Sequence, residues 1–240
     1  MYYFIYGERS SGTNVLHETI KLNFKDDLLE HDINKKHFFN FTTVKNVEEC
    51  LYISIVRDPI DWINSLYRNP HLISHELFED KKKFISHEFK TWDKTRKEIN
   101  SIFSTKIKDP RTQTYIEVDT ENLNGRHIYT DQIYKNIFEM RHIKLKFMLE
   151  DLPKLLSNYI IIKYEDLTHD FENTMNKLKC AGLTPKYDKF TQIALDKPVK
   201  PWMYCKPCRE LNVTYNDFIP EFEKKLGYII NDKTSNDCIT

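Results

Sequence analysis

The chain of 240 residues balances 36 basic against 36 acidic side chains, so its formal net charge at neutral pH is zero. That balance excludes a general polyanion binder such as a nonspecific nucleic-acid-binding protein, which needs excess Lys and Arg along an extended surface, and any anion site must be local. With 40% hydrophobic and 30% charged residues, the composition predicts a globular chain, and the length fits a single domain spanning residues 1–240.

The first predicted element is a short strand at residues 2–6, where aromatic and β-branched residues follow one another. Gly7 ends the strand where the backbone must turn, and Gly12 follows five positions later. From Asn14 onward a helix is predicted, because apolar residues recur at helical spacing: Leu16, Ile20 and Phe24. Such a turn presents unpaired N–H groups and the positive end of the helix dipole, which attract an anion. We therefore predict a phosphate-binding loop.

Further strands and helices alternate along the chain. Buried strands are predicted at residues 51–56 and 159–164, and another strand at 37–43. The remaining predicted elements are helices at 58–67, 86–102, within 131–156 and from Phe171 to a stop at Gly182, with a loop or hairpin at 106–125. The alternation predicts an α/β domain with a central, mainly parallel sheet flanked by helices, in which ligands gather at the carboxyl ends of the strands.

The predicted loop differs from the phosphate loop of ATP-binding proteins. The spacing of Gly7 and Gly12 matches that motif, but Thr13 and Asn14 stand where it has Lys and then Ser or Thr. The usual phosphate-binding cation and the hydroxyl that holds magnesium are therefore missing. Positive charge and hydroxyl donors come instead from Arg9, Ser10, Ser11 and Thr13. This set suits an anion held without a metal.

The segment Ser11-Gly12-Thr13-Asn14 resembles the 5′-phosphosulfate loop of the sulfotransferases that use 3′-phosphoadenosine 5′-phosphosulfate (PAPS). In that family a basic residue directly precedes the Ser, whereas here Ser10 does and Arg9 stands one place earlier. The resemblance implies a P-loop-like sulfotransferase fold, PAPS as co-substrate, no metal, and residues 9–14 as part of the nucleotide site. An ordinary glycine-containing turn between strand and helix is the alternative.

A second match to this family consists of Arg57, at the end of the strand predicted at 51–56, and Ser65, in the helix that follows. The family's 3′-phosphate site pairs an Arg at a strand end with a Ser eight positions later, and 57 to 65 is that interval. A guanidinium and a hydroxyl can hold one phosphate together. The alternative is a local ion pair of Arg57 with Asp58 or Asp61.

A third match lies at the end of the strand predicted at 159–164, in the segment Lys163-Tyr164-Glu165-Asp166-Leu167. The similar family segment carries a Tyr near the adenine, and an aromatic ring at a strand end can stack on a base. The resemblance therefore implies that Tyr164 contacts the nucleotide. The alternative is that Tyr164 only covers the core.

The fourth match concerns the chemistry directly and comprises Lys35 and His37. Cytosolic family members have Lys, one residue and then His at this place, with the His taking the acceptor's proton and the Lys near the transferred group. A histidine, with an ordinary pKa of ~6.5, can accept a proton near neutrality. Arg9 would also stabilise the transferred group. Glu18 on the first helix is the rival base.

The expected reaction is transfer of a sulfuryl group from PAPS to a hydroxyl or amine of a small molecule or carbohydrate, leaving adenosine 3′,5′-bisphosphate. A P-loop-type kinase and a non-catalytic nucleotide-binding protein are the alternatives. The acceptor site is expected in the segments 69–126 and 197–216, where aromatic and basic residues mix without a sustained apolar run. A carbohydrate is favoured over a steroid-like acceptor for that reason.

The cysteines and the hydropathy bear on the compartment. Five cysteines, without framework spacing, predict reduced thiols, and the single Cys205-Lys-Pro-Cys208 motif has no second pair to complete a zinc site. No stretch approaches ~18 consecutive apolar residues, and no secretory signal pattern is evident. We therefore expect a cytoplasmic protein without an integral membrane segment.

Overall fold

The structure is a computed structural model that describes residues 1–29, 37, 46–68, 73, 77, 80–89, 91–94, 104–108, 115–124, 126–193 and 211–228. Its first sheet contains β1 (Tyr2–Gly7), β2 (Asp27–Leu28), β3 (Cys50–Val56) and β7 (Tyr159–Lys163). The four strands are parallel, in the order β2, β1, β3, β7. The predicted α/β class with a parallel sheet flanked by helices is confirmed at this level.

The register of the sheet brings the strand ends together. Gly7 at the end of β1 lies opposite Ile55, one residue before β3 ends. Val56 at the end of β3 lies opposite Lys163, the last residue of β7. The residues that follow these three strands therefore meet at one edge, the carboxyl edge, where α/β sheets present ligand sites.

The core lies on both faces of this sheet, because successive residues of a strand point to opposite sides. On β1 and β3, odd-numbered residues pack with the helices of one face and most even-numbered residues with the other. All seven residues of β3 are buried, in agreement with the continuous apolar run that predicted a strand covered on both sides.

Helices accompany the sheet, and those predicted at 58–67, within 131–156 and from Phe171 are among them. They are α1 (Thr13–Asn23), α2 (Pro59–Arg68), α3 (Lys81–Ser86), α4 (Ile137–Lys146), α5 (Leu152–Leu155), α6 (Asp166–His169), α7 (Phe171–Cys180) and α8 (Pro220–Lys225). A π-helical turn, Phe147–Asp151, joins α4 to α5. Asn136 caps α4, since its side chain accepts a hydrogen bond from the Glu139 N–H at 2.9 Å. In the part of the chain described, no helix is both long and apolar enough to cross a membrane.

A second, antiparallel sheet corrects one prediction. It contains β4 (Thr91–Lys94), β5 (Ser104–Lys108) and β6 (Tyr115–Asn124), with β6 in the middle. The helix predicted at 86–102 is wrong where it is described, because α3 ends at Ser86 and β4 pairs with β6. The hairpin predicted at 106–125 is confirmed by the pairing of β5 with β6.

Two further differences concern the first sheet. The strand at 159–164 forms as predicted, but only Ile162 of β7 is buried, since β7 comes last in the order of the described strands. The two-residue strand β2 was not predicted, because two residues carry no periodicity. The strand predicted at 37–43 lies outside the described residues apart from His37.

Candidate functional site

The turn after β1 is built around Gly7. An added Cβ on this residue would lie 2.8–2.9 Å from three side chains, those of Ser11, Thr13 and Ile55. The Ser11 hydroxyl donates to the Glu8 carbonyl at 2.6 Å, and the Ser11 N–H donates to the same oxygen at 3.2 Å. The segment 8–12, called the β1 loop below, is therefore a tight turn whose entry has room only for glycine.

The backbone of the β1 loop has the form of an anion-binding turn. Ser10 and Gly12 have φ values of 64° and 99°, both in the left-handed region. Backbone turns that visit this region make concave surfaces lined by N–H groups. The first hydrogen bond of α1 runs from the Leu16 N–H to the Gly12 carbonyl at 3.0 Å. The N–H groups before it have no carbonyl within the helix, and they sit at the positive end of an 11-residue helix.

Arg57 and Tyr164 lie directly against the β1 loop. Each is the first residue after its strand, β3 or β7. Arg57 donates from Nη1 to the Ser10 carbonyl at 3.3 Å, and its guanidinium carbon lies 4.5 Å from the centroid of the Tyr164 ring. An added Cβ on Gly12 would come within 2.3 Å of that ring. The structure thus joins three segments that the sequence analysis singled out separately.

The local surroundings of Arg57 bear on its role. Its Nε is buried and has no hydrogen-bond partner among the described residues. Asp58 directs its carboxylate elsewhere: Oδ1 accepts from the N–H groups of Ile60 and Asp61 at the start of α2, and Oδ2 accepts from the Tyr215 hydroxyl at 2.7 Å. Asp58 is therefore a helix cap, and the guanidinium is directed at the β1 loop.

The remaining predicted nucleotide contacts occupy different environments. Arg9 and Ser65 are half-buried, Thr13 is buried and Asn14 is exposed. The Arg9 carbonyl accepts a hydrogen bond from Trp62 Nε1 at 2.8 Å, so α2, which also carries Ser65, holds the β1 loop directly. Trp62, a buried residue of α2, had no role assigned from the sequence.

His37 is the described member of the Lys35 and His37 pair, and Lys35 lies outside the described residues. Nδ1 of His37 is 2.8 Å from the Gly7 carbonyl oxygen. A carbonyl oxygen only accepts, so Nδ1 donates, and in the neutral ring Nε2 then carries the lone pair. The histidine is therefore oriented at the start of the β1 loop.

Glu18, the rival base, is an exposed residue of α1. It directly follows His17, whose Nδ1 lies 3.0 Å from the Tyr3 hydroxyl. Tyr3 belongs to the opposite half of β1 from Gly7. The structure thus brings His37 to the β1 loop, whereas the helix segment that carries Glu18 packs near Tyr3.

A buried charge cluster lies beneath the loop and consists of Glu8, Arg141, Lys144 and Glu223. Arg141 donates to Glu8 Oε2 at 3.2 Å and to the two oxygens of Glu223 at 2.5 and 3.0 Å. Burial acts to lower the pKa of Arg141, but the hydrogen bond with Glu223 and the negative charges of Glu223 and Glu8 together outweigh it, so the pKa is raised. This cluster was not predicted from the sequence.

Two further members of the buried charge cluster, Glu8 and Lys144, have perturbed pKa values. Burial raises the pKa of Glu8 to about 7, against the opposing effect of the Arg141 and Lys144 cations. Burial lowers the pKa of Lys144 to about 8, against the effect of Glu8. Oε1 of Glu8 is buried and has no hydrogen-bond partner within the described part of the chain. Perturbed groups of this kind gather at functional sites.

The segment 211–228 adds a second polar contact at the carboxyl edge. Glu165, directly after Tyr164, accepts from the Asp58 N–H at 2.8 Å and from the Tyr228 hydroxyl at 2.9 Å. Burial and the Glu165 carboxylate raise the pKa of Tyr228, so its proton stays on the phenol. The end of the described chain thus closes over the ends of β3 and β7.

Comparison of the chain with protein-family models, with curated proteins and with solved structures finds no match. Among the residues that the structure describes, no group of three His, Cys, Asp or Glu side chains could hold a metal ion. Cys205 and Cys208 are not among those residues. The proposed function therefore rests on the geometry of the residues at the carboxyl edge of the sheet.

Proposed function

We propose that the chain is a PAPS-dependent sulfotransferase with a P-loop-like sulfotransferase fold, which transfers a sulfuryl group to a hydroxyl or amine. The observation that carries this proposal is the meeting of the β1 loop, Arg57 and Tyr164 at one edge of the sheet. A nucleotide with phosphates at both ends of its ribose needs two anion sites and a surface for its base, and these segments supply one each.

The proposed binding mode follows from the order of these groups. The 5′-phosphosulfate lies on the N–H groups at the start of α1, with residues 9–14 around it. The 3′-phosphate meets the Ser65 hydroxyl and Arg57, whose Nε has no hydrogen-bond partner among the described residues and can donate to a ligand. The adenine lies near Tyr164, and because Arg57 already contacts that ring, base and 3′-phosphate can bind side by side.

The proposed reaction is a direct transfer. An oxygen or nitrogen lone pair of the acceptor attacks sulfur, the bond from sulfur to the bridging phosphate oxygen breaks, and adenosine 3′,5′-bisphosphate leaves. Nε2 of His37 takes the acceptor's proton, because Nδ1 is already committed to the Gly7 carbonyl. Arg9, Lys35 and the loop N–H groups stabilise the charge on the leaving group and on the equatorial oxygens, and the proposed reaction uses no metal.

For the acceptor we propose a chemical class and not a single compound. Lys81, Lys82 and Lys83 are exposed at the start of α3 and suit an anionic acceptor. The other candidate contacts are Trp92 and Tyr115, which belong to β4 and β6, and Trp202 and Tyr204, which lie outside the described residues. We favour a polar acceptor such as a carbohydrate, since these segments lack a sustained apolar run.

The experiment that tests this function is transfer of radiolabel from ³⁵S-PAPS to a panel of glycans, phenols, steroids and tyrosine peptides, with His37→Ala as the matched inactive variant. Label on one acceptor class, lost in the variant, is the expected result. Label on steroids or simple phenols alone would overturn the carbohydrate preference. PAPS binding without transfer to any acceptor would favour a non-catalytic nucleotide-binding protein, and transfer from ³²P-ATP with magnesium would favour a kinase.

A further inference from the structure

We infer that Arg141 is a positioning residue for the candidate nucleotide site: it holds the β1 loop and the end of β3 at a fixed separation, and the C-terminal helix α8 orients it. The identity of the ligand as a nucleotide rests on the proposed function, whereas the contacts by which Arg141 links the β1 loop to the end of β3 do not. Arg141 lies on α4, remote in sequence from every residue assigned to the nucleotide above, and only 1% of it is exposed.

The first contacts of Arg141 reach both anion-binding segments at once. Nη1 donates to the carboxylate of Glu8, the first residue of the β1 loop, at 3.2 Å. Nη2 donates at 2.8 Å to the carbonyl of Arg57, the residue proposed for the 3′-phosphate. One rigid, planar guanidinium therefore links the Glu8 side chain to the Arg57 backbone, and so joins the two segments that would hold the two phosphates.

A second route to the β1 loop runs through Trp62. The guanidinium carbon of Arg141 lies 4.7 Å from the Trp62 ring, which is a cation–π distance. The same indole donates from Nε1 to the Arg9 carbonyl at 2.8 Å. Glu8 and Arg9 are thus both held by groups that contact Arg141, one directly and one through Trp62.

Glu223 explains why the guanidinium keeps this orientation. Its two oxygens accept from Nε and Nη2 in a bidentate pair at 2.5 and 3.0 Å, and its side chain is buried. A bidentate pair fixes the plane of the guanidinium, so Nη1 and Nη2 remain aimed at Glu8 and Arg57. Lysine at position 141 would keep the charge but could not make these directed contacts together.

The test compares Arg141→Lys and Glu223→Gln with the wild-type chain. The control is Glu150→Gln, which removes an ion pair of 2.6 Å between half-buried Glu150 of the π-helical turn and Lys225 of α8. Amide hydrogen exchange measures the loop and strand end without any ligand. Calorimetry at a temperature where each variant is folded measures the Kd values of adenosine 3′,5′-bisphosphate and of AMP.

We expect exchange in both test variants to rise about 10-fold or more at residues 8–13 and 57–58, with the control unchanged. We also expect affinity for the bisphosphate to fall about 10-fold or more while that for AMP falls less than about 3-fold, because only the bisphosphate must engage both segments. Both readouts differ from a plain loss of stability, which lowers Tm but leaves the Kd of the folded protein unchanged.

Three results would overturn the inference: unchanged exchange at the two segments, exchange that rises evenly through the sheet and helices, or equal losses of affinity for both nucleotides. If Arg141→Lys does not fold, Glu223→Gln decides by the same criteria. If the wild-type chain does not bind the bisphosphate, the proposed function fails, and the exchange measurement alone decides the role of Arg141.

Discussion

Arg57 is the residue whose surroundings most favour a ligand, since its buried Nε has no partner among the described residues while its Nη1 contacts the β1 loop. We predict that Arg57→Ala weakens PAPS and adenosine 3′,5′-bisphosphate by about 10–150-fold, the range expected for one charge-assisted contact. Adenosine 5′-phosphosulfate, which lacks the 3′-phosphate, should change little. Calorimetric Kd values for the three nucleotides measure the difference.

The control for Arg57 is Arg126→Ala. Arg126 likewise donates to a carbonyl, that of Asp131 at 2.9 Å, which belongs to none of the segments assigned to the nucleotide. Its replacement should leave all three affinities unchanged. Equal losses for the three nucleotides in Arg57→Ala would instead mean that this residue only supports the fold of the loop.

His37 carries the prediction about catalysis. The Gly7 carbonyl holds Nδ1 of His37, so Nε2 is the atom proposed to take the acceptor's proton. His37→Ala removes this base and should lower kcat by about 10²-fold or more, while the Kd of PAPS stays within about 3-fold of the wild-type value. Single-turnover transfer of label measures kcat, and calorimetry measures the Kd.

His17→Ala is the control for His37. The His17 ring also makes a hydrogen bond, with the Tyr3 hydroxyl at 3.0 Å, but His17 belongs to the middle of α1. Full activity in His37→Ala together with lost activity in Glu18→Gln would transfer the role of base to Glu18.

The buried pair Glu8 and Lys144 predicts how stability depends on pH. The pKa of Glu8 is raised from 4.5 to about 7, so the folded state binds more protons than the unfolded state between these values and the free energy of unfolding falls as pH rises through them. The pKa of Lys144 is lowered from 10.5 to about 8, so the free energy of unfolding rises again between pH 8 and 10.5. We expect Glu8→Gln to remove about 1–3 kcal/mol of the decline on the acid side.

Urea unfolding at a series of pH values measures this effect, with Glu172→Gln, an exposed carboxylate on α7, as the control. The control should retain the wild-type curve on both limbs. An acid limb that is equally steep in Glu8→Gln and wild type would contradict the assignment of the decline to Glu8.

At the scale of single elements, the start of α1 depends on Gly12. Its φ of 99° disfavours any side chain, and an added Cβ would meet the Tyr164 ring at 2.3 Å. We predict that Gly12→Ala lowers the free energy of unfolding by about 1–3 kcal/mol and weakens nucleotide binding, because the ring and the loop must separate. Urea unfolding and calorimetry measure the two effects.

Gly182→Ala is the matched control for Gly12. Gly182 has a similar φ of 113° after α7, but an added Cβ there meets only the flexible end of the Met1 side chain. Its replacement should cost stability without altering nucleotide affinity. Nucleotide affinity that survives in Gly12→Ala would show that the contact of Tyr164 with the loop is not needed for binding.

The elements that the sequence predicted are those whose signals are local. β3 follows from a continuous apolar run and α1 from helical spacing, and each begins one residue before its predicted start. The helix predicted at 86–102 failed where described because Thr91–Lys94 pairs with β6, and a partner strand leaves no mark on local periodicity. The full burial predicted for β7 failed because neighbours in a sheet, not the strand's own residues, decide how much of it is covered.

In the whole molecule, the candidate site likewise contains some residues that the sequence could predict and others that it could not. Gly12, Arg57 and Tyr164 could be predicted because each follows a strand, and parallel strands end at one edge. The residues that support these three could not be predicted. Arg141 contacts Glu8, which is 133 positions away in the chain, and Glu223, which is 82 positions away. Only the folded chain brings these charges together, so a sequence pattern can propose the groups that would face a ligand but not those that hold them.

The central claim is that this edge binds a nucleotide with a 3′-phosphate, and thermal unfolding of the wild-type chain with matched ligands tests it most directly. The ligands are adenosine 3′,5′-bisphosphate, AMP and magnesium-ATP at equal concentration. We expect adenosine 3′,5′-bisphosphate to raise Tm most. When its concentration is 100 times Kd, it should stabilise the folded chain by about 2.7 kcal/mol. A chain stabilised by magnesium-ATP but not by adenosine 3′,5′-bisphosphate would contradict it.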